Sequence, residues 1–229
     1  MNHGRIVAVR FKTRGEMTSH LSLLNLIRIG DMIGCADDSL VDKAIGTACG
    51  GKVRRIMSVY SSQWQTAPKC VESTMANFGR VAVTDLDVRL KEYQKSGARL
   101  WWFRLSDWHR MFLDVQGYRE YLLSKVGEHY NCWDALWNGL KLCTFRETAT
   151  RGFSSEIYAH ALMEGGVLPA HNPAAVNPHD LVRAQLWAEC TQLCGEPAPI
   201  TDINTVSCDD WAEWVESDQD ADDTRSWSY

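Results

Sequence analysis

The stretch Arg151-Gly152-Phe153-Ser154-Ser155-Glu156-Ile157-Tyr158-Ala159-His160-Ala161-Leu162-Met163-Glu164-Gly165-Gly166-Val167-Leu168-Pro169 decides how the chain is read. It gives a glycine turn, a capped helix of Ser155–Met163 and a glycine stop. Ser154 stands where a chain arriving from a loop sets one side chain over the first, unpaired N–H groups of a helix. Such a tip favours negative charge. The plain role of a serine there is a helix cap, and the helix dipole accounts for Glu156 in the first turn.

Upstream, β-like segments fall at Val53–Tyr60, Cys70–Ser73, Arg80–Leu86 and Leu100–Leu105, preceded by a short alternating Ile6–Phe11. Leu21–Ile29 reads as a strand that ends in a turn at Gly30-Asp31. Hairpin-length loops between strands predict a small, mostly antiparallel sheet or barrel. Helices are predicted at Leu40–Cys49, stopped by Gly50-Gly51, at Val88–Gln94, and at Trp108–Val126, where Met111, Val115, Tyr118 and Leu122 share a face. Another covers Trp133–Leu142. Asn177-Pro178-His179-Asp180 is a strong helix start, and that helix is predicted to run to about Cys194. Strands followed by helices define an α+β domain. The expected division is an N-terminal segment 1–25, a domain 26–195 and an acidic, Trp-containing C-terminal tail 196–229.

The chain has 229 residues, 45% of them hydrophobic, enough for one sizeable core. Residues 201–229 hold nine acidic side chains against Arg225, a balance of −8, so the first 200 residues carry +3 of the net −5. Neither part has the concentrated basic face of a nucleic-acid binder. No apolar run approaches the ~20 residues that span a bilayer, and no signal peptide is visible. Synthesis in a reducing, cytoplasmic compartment follows, with the eight cysteines mostly small buried side chains. Of ten tryptophans, Trp211 and Trp214 lie three apart in the tail and are expected on one face of a short helix that docks on a protein partner.

Four pieces, in this order, carry a resemblance: Ile29-Gly30-Asp31-Met32-Ile33; Cys70-Val71-Glu72-Ser73-Thr74 with Arg80-Val81-Ala82-Val83; Phe153-Ser154-Ser155-Glu156-Ile157 with Gly165-Gly166-Val167-Leu168; and Asn177-Pro178-His179-Asp180-Leu181. Over about Leu26–Leu186 the chain resembles the circularly permuted papain-like hydrolases of the YiiX or YaeF type, relatives of the NlpC/P60 peptidases. The resemblance implies a permuted papain-like arrangement, with a catalytic cysteine at the helix tip and a histidine base on the first β-hairpin. The cysteine position matches Ser154. The hairpin reads Arg54-Arg55-Ile56-Met57-Ser58-Val59-Tyr60-Ser61 and holds no histidine.

A helix dipole and an imidazolium bring a thiol's pKa within reach of neutrality, whereas an alcohol needs a base to remove its proton. Losing thiol and base together removes the mechanism. The expectation is a catalytically inactive member of the fold, kept as a structural or interaction module within a larger assembly, with a phage tail or tail-tip component as the specific setting. The alternative is an active amide or ester hydrolase of peptidoglycan or peptides, with Ser154 as nucleophile and a relocated base. His129 and His171 sit in predicted loops that could approach, while His160 faces away from the helix start. Cys132, beside Trp133 and Trp137, reads as packing. Cys190, Cys194 and Cys208, with Cys143 as a fourth sulfur, could ligate zinc or an iron–sulfur cluster, but the short two-residue spacer is missing. No cofactor and no resident metal are expected.

Overall fold

The computed structural model describes residues 9–11, 24–38, 43, 51–61, 67–74, 80–129, 154–170, 172 and 176–211. The helices predicted at Leu40–Cys49 and Trp133–Leu142 fall outside these residues apart from Lys43, as do Cys132, Cys143, His171 and Trp214.

Among the described residues one sheet holds seven strands: β1 (Val9–Phe11), β2 (Met32–Ala36), β3 (Arg55–Ser61), β4 (Lys69–Thr74), β5 (Arg80–Asp85), β6 (Arg99–Leu105) and β7 (Trp187–Cys194). Their order is β1-β7-β6-β2-β3-β4-β5, antiparallel throughout except for the parallel β1–β7 pair. The sheet is open, with β1 and β5 at its edges, so the barrel alternative is set aside. Five helices join it among the described residues: α1 (Leu86–Lys95), α2 (Asp107–Phe112), α3 (Val115–Ser124), α4 (Ser154–Glu164) and α5 (Pro178–Arg183). The class is α+β, as expected.

Both faces of the sheet are covered, so its central strands are apolar at successive positions. Ile56, Val71, Trp101 and Phe103 enter one core with Tyr118, Leu122, Tyr158, Leu162, Leu181 and Trp187. Met57, Val59, Cys70, Leu100 and Trp102 enter the other, against Leu86, Leu90 and Tyr93 of α1 and against Leu24 and Ile27. Across the second core, Arg89 pairs with the buried Glu72, and the Tyr93 hydroxyl donates to Glu72 at 3.2 Å while accepting from Arg89 at 3.1 Å. Burial raises the Glu72 pKa and Arg89 pulls it back. A buried carboxylate needs this kind of partner to remain charged.

Three elements differ from the sequence expectation. The strand predicted at Leu21–Ile29 lies after Gly30-Asp31, as β2, not before it. Gly30 turns the chain at φ 82°, and a Cβ there would meet Leu113 Cδ2 at 2.9 Å. Asp31, fully buried, then accepts from the N–H groups of Arg28 and Leu105 and from Trp102 Nε1, each at 2.9 Å, and from Arg110 at 2.5 Å. The helix predicted over Trp108–Val126 is two helices, α2 and α3, because Asp114 caps a new start by accepting from Gln116 N–H at 2.9 Å. Tyr118 and Leu122 are buried as predicted, but Met111 is 72% exposed and Val115 is 36% exposed. Finally, the helix starting at Asn177 stops at Arg183, and the run predicted to continue it to Cys194 is β7.

Candidate functional site

The site to test is the tip of α4, where the chain sets Ser154 against β3. Ser154 is the first helical residue, 8% exposed, and its Oγ accepts the Ile56 N–H of β3 at 3.1 Å. The next residue secures the other side: Ser155 Oγ donates to the Val176 carbonyl at 2.8 Å. The first of these hydroxyls was expected to cap its own helix. In the structure it reaches outward to β3, where it takes a backbone donor that would otherwise need another partner.

The group of β3 that meets Ser154 is Ile56, with a buried hydrocarbon side chain. Among the described residues no imidazole hydrogen-bonds to Ser154. His160 lies further along α4, as predicted, stacked on Tyr121 at 4.2 Å and 3.3 Å from Glu164. His129 is exposed and sits in an isolated bridge with Arg80. His179 meets Asp202 at 3.1 Å, and burial lowers its pKa while Asp202 opposes that shift.

The Asn177 helix start forms as read, as a complete capping box. Asn177 Oδ1 accepts from His179 N–H at 2.8 Å and from Asp180 N–H at 3.1 Å, and Asp180 accepts from Asn177 N–H at 2.8 Å. It holds α5 beside α4 and the residues that receive Ser155.

Among the described residues, the cysteines considered as metal ligands do not converge. Cys190 is buried in the main core, Cys194 Sγ reaches the Ala98 carbonyl at 3.3 Å, and Cys208 Sγ lies 3.7 Å from His109 Nε2. Cys190 and Cys194 share strand β7 rather than a helical turn. Among the described residues no group of three or more His, Cys, Asp or Glu side chains could hold a metal ion, and no helix is long and apolar enough to cross a membrane.

Sequence reasoning missed the cluster of Ser106, His109 and Cys208. The local half was visible as a cap followed three residues later by histidine: Ser106 Oγ accepts from His109 N–H at 3.2 Å and lies 2.7 Å from its Nδ1. The other half comes from 99 residues away. Trp211, expected on a docking surface, is fully buried in the main core with Ile200 and Val206.

No protein-family model matches the chain, and no curated protein sequence matches it either.

Proposed function

We propose that this chain is a permuted papain-like module that has given up catalysis and serves as a structural or interaction component of a larger assembly, a phage tail or tail tip being the setting its sequence resembles. One observation carries the reading: the hydroxyl at the nucleophile position is engaged with the Ile56 N–H, and the strand it faces offers a hydrocarbon instead of a base. An alcohol without a base to take its proton does not attack an amide or ester. The quoted sequence pieces support the same reading, since they lie together on one sheet and on the two helices α4 and α5 that cover it.

Protein partners are engaged through the C-terminal segment. Trp211 is buried in the core, and the part of the segment proposed to meet the partner is the acidic sequence that follows it, with Trp214. The test is a chain ending at Trp211, with assembly measured by light scattering. The expected result is an unchanged thermal transition with assembly lost. Assembly at full strength would remove the segment from the account.

A further inference from the structure

The cluster of Ser106, His109 and Cys208 is separate from the α4 tip, and its chemistry does not depend on the function proposed for that tip. It has the parts of an activated thiol: a nucleophile, a nitrogen base within sulfur hydrogen-bond distance, and a third group on the far side of the ring. Cys208 Sγ to His109 Nε2 is 3.7 Å, and Ser106 Oγ to His109 Nδ1 is 2.7 Å.

The two halves are fixed independently. On one side, Ser106 donates its N–H to the Leu186 carbonyl at 2.9 Å, and Arg110 ties α2 to the buried Asp31. On the other, Val206 exchanges backbone bonds with Arg183 and Gln185, each at 2.8 Å, and Trp211 is sunk in the core, so the loop carrying Cys208 is held at both ends. Both Cys208 and His109 remain partly exposed. A reagent can reach them.

We propose that Cys208 is a thiol-modification site, at which His109 takes the thiol proton as the sulfur attacks a small disulfide. In the exchange the Cys208 sulfur bonds to one sulfur of the reagent and the reagent's S–S bond breaks. The imidazolium returns the proton to the departing thiolate, so that Cys208–SH and R–S–S–R become Cys208–S–S–R and R–SH. Burial and Asp209 push the Cys208 thiol up to about 11, and burial lowers the His109 pKa. Both shifts oppose moving the proton from sulfur to nitrogen, so the pair rests as thiol and neutral imidazole. The proposal stands on the placement of His109 Nε2 beside the sulfur, where it can take the proton and leave a thiolate to attack. Exposed Asp209 and Asp210 beside it favour a cationic disulfide over an anionic one.

Cys194 is a built-in control. It too is partly exposed, with a thiol pushed up to about 11 by burial, but its sulfur reaches a carbonyl and, among the described residues, no imidazole. The experiment treats the full chain with cystamine at neutral pH and reads mixed-disulfide formation by mass spectrometry after cleavage at acidic residues, which separates Cys208 from Cys194. The quantity read is the ratio of the two rates, so any loosening of the fold that exposes both sulfurs is divided out. The expected ratio is at least about tenfold in favour of Cys208, falling to near unity in His109→Gln and partway in Ser106→Ala, which keeps both reacting groups. Equal rates in the unaltered chain, or a ratio unchanged in His109→Gln, would overturn the proposal.

Discussion

Ser154 shows how a side chain at a helix start can serve a neighbouring strand. Its hydroxyl satisfies a buried backbone donor of β3, so Ser154→Ala is expected to destabilise the fold by about 1–3 kcal/mol, the cost of leaving such a donor unpaired. Urea denaturation of the two proteins measures it. A change near zero would mean that water or another group takes the N–H. The half-buried imidazoles add a pH dependence. Desolvation lowers the pKa of both His109 and His179 below 6.5, so under acid the unfolded chain binds protons that the folded chain refuses. Their contribution to stability is therefore complete above pH 6.5 and is lost as the pH falls through 6.5 toward the lower folded values. His109→Gln should flatten this part of the profile, read as the difference in urea midpoint between about pH 7.5 and about pH 5.5. The position of Ser154 at a helix start was legible in the sequence because glycine turn, polar start and glycine stop are local signals. Its partner was not, because Ile56 lies 98 residues away.

At the scale of elements, the sequence was readable where local chemistry and tertiary structure agree. The strands β3, β4, β5 and β6 and the start of α5 follow from alternation, turn residues and a capping box. It misled where a local pattern ran through a boundary set elsewhere. Met111, Val115, Tyr118 and Leu122 keep helical spacing across the break at Leu113-Asp114, so periodicity alone could not show that α2 turns its apolar residues outward. Nothing between Pro178 and Gly195 breaks a helix in the sequence, yet the chain turns into β7 at Trp187. A remote clamp fixes that turn: Asn204, at φ 57°, accepts Trp187 N–H at 3.1 Å and donates to the Trp187 carbonyl at 2.7 Å. Asparagine tolerates that left-handed backbone better than most residues. Asn204→Ala should therefore cost about 1–3 kcal/mol through the unpaired groups of Trp187. Hydrogen exchange at the Trp187 amide checks it, with faster exchange expected and an unchanged rate counting against the clamp.

For the molecule as a whole, an open sheet covered on both faces takes the first described strand at its edge and carries the core that the last described residue joins. β1 pairs with β7, and Trp211 closes the main cluster. The stretch read from composition as the start of a tail is thus partly interior up to Trp211, because its apolar residues are few but each finds a place in the core. The site at α4 is joined to that framework through the Ile56 N–H and the Val176 carbonyl, and the proposed loss of catalysis is a statement about this helix tip. The most direct measurement is exposure of the folded chain to a fluorophosphonate probe, with the modified peptide mapped by mass spectrometry. The account predicts no adduct at Ser154 while the fold is intact. An adduct there that disappears in Ser154→Ala would show a reacting hydroxyl with a base behind it, and would contradict the claim that this helix tip is inert.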